Sequence, residues 1–312
     1  MAFLLTQAGT TLYKVDLSSG TATALTLPTG VTLSSSRKPK FALLNQFVVM
    51  VNSPSRNLVI DTEGQVMPLT PISPTHAPDI DEVSSGALTG TYFYAVSFIV
   101  KDSDGNLLFE SPLSPSSYSI TFAAENGGLS DIPLSQDSYG NYTLGRRIYR
   151  TLTGQTPSTE GGSPDTFFPL FDIDDNTSLT FTDSATDASL SLLPALTTDL
   201  VAPPGTMTGT RLKNIVQWKS RLWAVADDSA LHDTVYVTET NKIYAWPNTL
   251  IAYPTGQSAD GIIGFAARRN QLGILKNNGV WSVSAATSST GGSFQNISVQ
   301  QLDQSDDKGC IA

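Results

Sequence analysis

Paired carboxylates are the residues of this sequence with the clearest potential for chemistry. A glycoside hydrolase needs two of them about 5 to 10 Å apart across a cleft. Acids are close together in five places: Asp79, Asp81 and Glu82; Asp172, Asp174 and Asp175; Asp183 and Asp187; Asp227 and Asp228; Asp303, Asp306 and Asp307. Most of these stretches are typical of turns, where Asp accepts hydrogen bonds from its own backbone. We therefore expect the acids to stabilise turns, and the Asp box of sialidases is absent.

Three further groups offer chemistry of other kinds. Residues 102–106 (DSDGN) place oxygen atoms at alternating positions, as a calcium loop does, but the distal Glu of an EF-hand does not follow, and a tight hairpin is the favoured interpretation. His232 next to Asp233 has the residue types of a base with its orienting acid, yet no nucleophile can be placed nearby, which favours a surface turn. Cys310 has no neighbouring His, so we expect it to be a small buried side chain or part of a frayed chain end and not a reactive thiol.

The densest basic cluster consists of Arg146, Arg147 and Arg150. Three arginines on one strand are able to bind a phosphate or a sialic acid. Because side chains alternate along a strand, however, Arg146 and Arg150 share one face while Arg147 points to the other. Salt bridges to neighbouring acids are therefore the expected role.

Sequence motifs of common enzymes are missing. The chain has no G-x-S-x-G elbow, phosphate loop, G-x-G-x-x-G fingerprint or H-E-x-x-H. With only His76 and His232, there is little scope for imidazole or zinc chemistry. We predict no catalytic residue, no cofactor and no metal ligand, and hence a protein that is not an enzyme.

Composition narrows the class of protein further. The 312 residues are 40% hydrophobic, enough to fill real cores, but only 15% charged, against about 25% in a typical domain. A single cysteine excludes a disulfide framework, and a net charge of −10 argues against a nucleic-acid clamp. No stretch approaches the roughly 18 apolar residues of a membrane helix, and the N-terminus lacks the pattern of a signal peptide. We expect no membrane insertion.

The pattern of apolar residues predicts a nearly all-β chain. Short runs rich in Val, Ile, Thr, Tyr and Phe recur throughout, whereas helical spacing is almost absent. Hairpin turns are predicted at residues 16–20, 61–64, 102–106 and 276–279.

Two proline-rich stretches divide the sequence into three parts. One runs from Pro68 to Pro78, the other is residues 201–205 (VAPPG), and both suit stiff connectors. They predict a first body segment at 1–72, an inserted domain at 73–203 and a second body segment at 204–312.

The two flanking segments resemble each other in their hairpins. Strands and turns repeat at roughly 40 to 50 residues, the period of four-stranded propeller blades. Aromatic residues recur on predicted second strands, where blades pack: Tyr13, Trp223, Tyr236, Tyr244 and Trp281. The flanks hold about four blades at that period, which predicts a β-propeller-like body. Its ring is either closed at the small end of the range of blade numbers, open, completed by a partner, or incomplete. A generic β-sandwich is the alternative.

The middle segment has about seven short strands, which is typical of an immunoglobulin-like sandwich. They include residues 91–100 (TYFYAVSFIV), predicted as one strand, and 178–182 (SLTFT). The order of GTYFYAVS, ESPLSP, RRIYRT and LTFTDSATD resembles a fibronectin type III domain. Such a module within a propeller is similar to tail and virion proteins of double-stranded DNA bacteriophages, including nozzle or hub proteins of short-tailed phages. Residues 211–218, 221–223 and 309–312 also resemble those proteins, in which the last motif continues into further blades.

This resemblance implies a structural subunit of a bacteriophage tail, located in the virion and made in the host cytoplasm. A homo-oligomeric ring would form part of the conduit for DNA ejection, and DNA would pass without specific binding. Adaptor, fibre or spike proteins of the tail and a host surface are the implied partners. The alternative is a glycan-binding or glycan-hydrolysing β-propeller with an accessory fibronectin-type module. A cell-surface adhesion protein would need a signal peptide, which we do not find.

Overall fold

Strands dominate the computed structural model of the chain, which describes residues 3–157, 167–196, 212–227, 234–246, 261–276, 279–287 and 294–303. Strand makes up 52% of the structure and helix 2%, so the predicted all-β class is confirmed. The strands form several small antiparallel sheets, and neither a closed barrel nor a propeller is detected among them. The described residues include no helix with the length and hydropathy needed to cross a membrane.

The chain divides into two compact units. The first, which we call the body, comprises Met1–Leu69 and Ala202–Ala312, and the second, the insert, comprises Thr70–Val201. The second proline-rich stretch, 201–205, lies outside the described residues.

The N-terminal part of the body forms two antiparallel meanders, in which each strand pairs with the next. Sheet A contains β1 (Phe3–Ala8), β2 (Thr11–Asp16) and β3 (Ala22–Ala24), and sheet B contains β4 (Lys40–Leu44), β5 (Phe47–Val51), β6 (Leu58–Ile60) and β7 (Val66–Pro68). Leu12 of sheet A packs with Met50, Leu58 and Ile60 of sheet B in one buried core. Consecutive meanders therefore share their apolar faces.

The described residues of the insert contain seven strands and one helical turn. They are β8 (Asp79–Tyr92), β9 (Tyr94–Lys101), β10 (Leu107–Glu110), β11 (Ile120–Ser130), β12 (Thr143–Thr151), β13 (Phe167–Ile173), β14 (Phe181–Asp183) and α1 (Asp187–Leu190). Sheet C has the order β10-β9-β12-β13, and sheet D has the order β14-β11-β8. Tyr94 and Ile148 of sheet C share a buried core with Leu88 and Phe122 of sheet D.

The segment predicted as one strand at 91–100 is divided between the two sheets at Phe93. Tyr92 pairs within sheet D and Tyr94 within sheet C, so the single-strand prediction is wrong. Phe93 between them is held by Thr151, whose hydroxyl accepts from the Phe93 N–H at 3.1 Å and whose N–H donates to the Phe93 carbonyl at 3.0 Å. The chain crosses from one sheet to the other at this residue.

A row of serines continues the edge of sheet C beyond β10, and we call it the serine rail (residues 111–118). Ser111, Ser114 and Ser117 donate their N–H groups to carbonyls of β9, and their hydroxyls accept from the N–H groups of the same β9 residues, at 2.8 to 3.0 Å. Three residues of the rail cover the length of two residues of β9, which is about 6.7 Å. The rise of the rail is therefore about 2.2 Å per residue, shorter than the 3.1 Å per residue of polyproline II. Proline has no N–H group, so the prolines of the rail could not form the hydrogen bonds of a regular edge strand. The serine N–H and hydroxyl groups bond to the edge of β9 instead.

The C-terminal part of the body, where the structure describes it, again forms two meanders. Sheet E contains β15 (Leu212–Trp218), β16 (Arg221–Ala226) and β17 (Val235–Val237), and sheet F contains β18 (Ile262–Ala267), β19 (Leu272–Lys276), β20 (Gly279–Thr287) and β21 (Phe294–Asp303). Trp218 and Trp223 of sheet E are buried against Ile274 and Trp281 of sheet F. Trp218 also donates its indole N–H to the Arg268 carbonyl at 2.7 Å.

The first strands of successive body sheets lie against each other. β15 contacts both β4 and β18, and Asn214 on β15 donates to the Ile263 carbonyl of β18 at 2.9 Å. Buried Asn57 joins the two parts of the body: its backbone carbonyl accepts from Leu69 N–H at 3.0 Å and its side-chain oxygen from Leu212 N–H at 3.2 Å. Asn57 thus bonds both to the last residue of the body before the insert and to the first strand of the body after it.

The prediction that aromatic residues recur on second strands is correct only in part. Tyr13 and Trp223 lie on second strands, whereas Tyr236 and Trp281 lie on third strands. Tyr244 lies outside any strand, because residues 242–246 form a bend and irregular backbone that includes the buried Trp246. A strand predicted there is therefore wrong.

Candidate functional site

The three arginines of β12 all pair with carboxylates of the insert, as predicted. Arg146 and Arg150 have fully buried side chains on the face toward sheet D, and Arg147 lies on the opposite face with 19% of its side chain exposed. Since each guanidinium already has an acidic partner, the cluster is not available as a phosphate or sialic-acid site.

On the outer face of sheet C, Arg147 lies between two acids. It donates to both oxygens of Asp172 at 2.6 and 2.9 Å and to Glu110 at 3.1 Å. Although burial lowers the pKa of Arg147, the hydrogen bond to Asp172 and the charge of Glu110 raise it overall. Lys101 adds a second cation to Asp172 at 2.8 Å.

Glu110 is the buried centre of this outer network. Its carboxylate accepts from the Ser97 hydroxyl at 2.7 Å and from the Tyr149 hydroxyl at 2.5 Å, besides the bond from Arg147. Burial raises the pKa of Glu110, against the opposing effect of the Arg147 charge. Burial likewise raises the pKa of Tyr149, and the Glu110 charge adds to that shift. This acid has the burial of a catalytic group but no access to a substrate, because its exposed fraction is 4%.

Between the two sheets, Arg150 pairs with Asp183 at 2.5 Å, and both side chains are fully buried. The same carboxylate oxygen accepts from the Tyr94 hydroxyl at 2.8 Å. Arg150 also donates to Asp187 at 3.0 Å and to the Ala185 carbonyl at 2.9 Å. Burial raises the pKa of Tyr94, and the neighbouring Asp183 raises it further. The network ties β12 of sheet C to β14 of sheet D.

Several of the acids hold turns, as predicted. Asp61 accepts from three successive backbone N–H groups, residues 63–65, at 2.8 to 2.9 Å, and Asp16 accepts in the same way from residues 18 and 19. Asp102 accepts from Asp104 and Asn106, so the DSDGN segment is a closed hairpin turn. Hydrogen bonds from Ser178 and Thr177 lower the pKa of Asp175 in its turn.

The turn prediction is wrong for the first acidic group and for Asp172, which lies within β13 and pairs with Arg147 and Lys101. Asp79, Asp81 and Glu82 lie within β8, where they pair with β11 along an exposed sheet edge. Asp227 has an ion pair with Arg37. The candidates Asp228, His232, Asp233, Asp306, Asp307 and Cys310 lie outside the described residues, as does the side chain of Asp303. No group of three or more His, Cys, Asp or Glu able to hold a metal ion is found in the described part of the chain.

A surface groove of about 470 Å³ at one end of the insert is the remaining candidate site. We call it the Tyr118 groove; its lining includes His76, Asp79, Tyr118 and Asp131. Tyr118 is 97% exposed. The imidazole Nε2 of His76 lies 3.5 Å from the Asp131 carboxylate and 3.3 Å from the Asp131 carbonyl oxygen.

Sequence reasoning missed this groove because its residues come from three separate segments. Asp131 follows β11 directly, and the pairing of Ser130 with Asp79 brings the two acids to the same end of sheet D. Strand β8 is rich in Ser, Gly and acids, which are depleted in strands, so neither it nor its register was predicted. The only signal in the sequence was the pair of proline-containing segments, at Pro78 and Pro115, which flank the groove.

No family model matches the chain, and no curated protein matches its sequence.

Proposed function

We propose that the chain is a non-enzymatic structural subunit of a bacteriophage tail, with an open β-propeller-like body and an inserted fibronectin type III-like sandwich. In this proposal it assembles into a homo-oligomeric ring that helps to form the conduit for DNA. The resemblance of its sequence to nozzle and hub proteins motivates the proposal.

The stacking of the body sheets is the observation that carries the proposal. Four meanders follow one another, cores are shared between sheets A and B and between sheets E and F, and β15 contacts the first strands of sheets B and F. First strands at the centre and apolar faces between neighbouring sheets are the arrangement of propeller blades. An open stack has terminal sheets, which suit contacts with a neighbouring subunit.

The architecture of the insert supports the second part of the fold proposal. A four-stranded and a three-stranded antiparallel sheet share one core, the strand count of an immunoglobulin-type sandwich. Packing and the buried Arg150–Asp183 pair hold the two sheets together where antibody domains use a disulfide. A rigid module of this kind suits contacts with adaptor, fibre or spike proteins or with a host surface.

The carboxylates that pair with internal partners or hold turns favour a structural role over catalysis. Glu110, Asp172 and Asp183 have internal basic or hydroxyl partners, and Asp16, Asp61 and Asp102 hold turns. The net charge of −10 is compatible with a conduit, because a negative wall repels phosphate and lets DNA pass without specific binding.

Light scattering on the purified full chain, with negative-stain images of the assembly, tests the proposal. We expect a ring of defined order with an opening wide enough for duplex DNA, roughly 20 Å, by comparison with a major groove near 12 Å. A monomer at every soluble concentration, together with turnover of a polysaccharide, would overturn it in favour of the glycan-active alternative.

A further inference from the structure

The Tyr118 groove combines two carboxylates with an exposed aromatic ring. Asp79 begins β8 and Asp131 follows β11, and the Asp79–Ser130 pairing makes them close neighbours across the sheet. Within the part of the chain that the structure describes, no Lys or Arg lines the groove. The field inside it is therefore negative, which favours a cation and disfavours phosphate or carboxylate ligands.

The serine rail holds the backbone at Tyr118 in place. Ser117, the preceding residue, exchanges two hydrogen bonds with Tyr94: Tyr94 N–H donates to the Ser117 hydroxyl at 2.9 Å, and Ser117 N–H donates to the Tyr94 carbonyl at 2.8 Å. The Ser117 hydroxyl in turn donates to the Tyr118 carbonyl at 2.9 Å. A backbone held in this way presents a ring that is 97% exposed. A large exposed aromatic in a preformed groove is typical of a binding surface.

The Asp131 carboxylate has room for a further donor. His76 lies 3.5 Å from Oδ2 on one side, and no described residue donates a hydrogen bond to Oδ1. Pro78 and Pro115 line the groove between the polar residues, and their fixed φ angles make the walls stiff. The ligand would thus meet two prolines, an aromatic ring and two carboxylates.

We propose that this groove binds an arginine side chain of a partner protein. A guanidinium is planar, so it stacks on an aromatic face and forms paired hydrogen bonds to a carboxylate. Tyr118 offers the aromatic face, and Asp79 and Asp131 offer the carboxylates. A lysine ammonium would meet the charges but would not stack in the same way. The binding does not depend on ring assembly, so it can fail or succeed separately from the proposed function.

Tyrosine-labelled full-length protein, observed by NMR, tests the proposal with N-acetyl-arginine amide as the probe. The matched probe is N-acetyl-citrulline amide, which has the same shape without the charge. The Tyr118 ring signal is assigned by its loss in Tyr118→Leu. We expect the arginine probe to shift this signal saturably and citrulline to bind at least about tenfold more weakly, because it lacks the charged part of each contact.

Variants of the acids give the second arm of the experiment. Asp131→Asn and Asp79→Asn should each weaken the arginine probe severalfold without changing the urea midpoint, because both residues lie at the surface. Asp104→Asn is the matched control, since Asp104 lies in the exposed turn at the other end of β9. Equal binding of citrulline, no shift at Tyr118, or unchanged affinity in both groove variants would overturn the proposal. A Tyr118 shift caused only by neutral saccharides would overturn it as well, and would identify a glycan site.

Discussion

Asp183→Asn tests whether the buried pair between the two sheets holds the insert together. The substitution preserves the shape of the side chain and removes its charge. In the native insert, one oxygen of Asp183 accepts from Arg150 at 2.5 Å and from Tyr94 at 2.8 Å, and the other accepts from Ala185 N–H at 2.9 Å. If the oxygen of the new amide keeps the bond from Ala185 N–H, the amide NH₂ group faces the two donors, Arg150 and Tyr94, and cannot accept from either.

The magnitude follows from the burial of both partners. Arg150 and Asp183 have no exposed side-chain surface, and removing one member of such a pair costs about 3 to 5 kcal/mol. With a urea m-value of about 2 kcal/mol/M, the midpoint of the insert should fall by about 1.5 to 2.5 M. Asp187, at 3.0 Å from Arg150, remains as a partner, which places the loss toward the lower end.

Tryptophan fluorescence separates the two units in this assay. All four tryptophans, Trp218, Trp223, Trp246 and Trp281, belong to the body. Far-UV circular dichroism follows both units, so a transition that is seen by dichroism and not by tryptophan fluorescence reports the insert. We expect Asp183→Asn to move only that transition.

The matched control is Asp104→Asn, the same chemical change in an exposed turn, with an expected effect within about 0.5 kcal/mol. An unchanged insert midpoint in Asp183→Asn, or a shift confined to tryptophan fluorescence, would refute the assignment of this pair as the inter-sheet tie. Arg150→Met combined with Asp183→Asn should cost less than the sum of the two single changes, since the double variant leaves no unpaired buried charge.

Three further predictions concern other parts of the structure. Ser114→Ala removes the acceptor of the Val96 N–H and should cost about 1 to 3 kcal/mol in the urea stability of the insert, whereas exposed Ser116→Ala should be neutral; equal midpoints would contradict the role of the serine rail. Asn57→Ala leaves the Leu212 N–H unpaired and should lower the tryptophan-detected midpoint by a similar free energy, with the insert transition unmoved; a shift of the insert instead would argue against a tie within the body. Although burial raises the pKa of Asp172, hydrogen bonds from Arg147 and Lys101 lower it overall. The stabilisation by Asp172 is therefore present above the unfolded pKa near 3.8 and is lost as the pH falls through the lower folded value. Asp172→Asn should flatten the acid side of the insert's stability curve in thermal melts, and an unchanged slope below about pH 4 would contradict this.

Local chemistry predicted the hairpin turns of the fold better than its strands. Asp16, Asp61 and Asp102 closed their hairpins as expected, because an Asx turn needs only residues within a few positions of each other. Strand β8 was missed, since its stability comes from a long pairing with β11 and not from its own propensity. The break at Phe93 was missed for the same reason: a continuous apolar run does not reveal which sheet each half joins.

The internal roles of the arginines could be predicted, and the groove could not. Alternation along β12 was enough to separate Arg147 from Arg146 and Arg150. The approach of Asp131 to Asp79 and His76 depends on strand register and on a loop, both of which are set by packing over many residues. The propeller and fibronectin interpretations stay proposals, because they depend on how sheets close and connect.

Because one unit is inserted into the other, the two parts of the body are synthesised at different times. Sheets A and B are complete before the ribosome adds the insert of about 130 residues, which takes roughly 7 to 26 s at 5 to 20 residues per second. During that interval β4 has no β15 to pack against and the side-chain oxygen of Asn57 has no Leu212 to bind. The half-made body therefore exposes part of sheet B to solvent. An insert that folds quickly would shorten the effective loop that β15 must close to cover it.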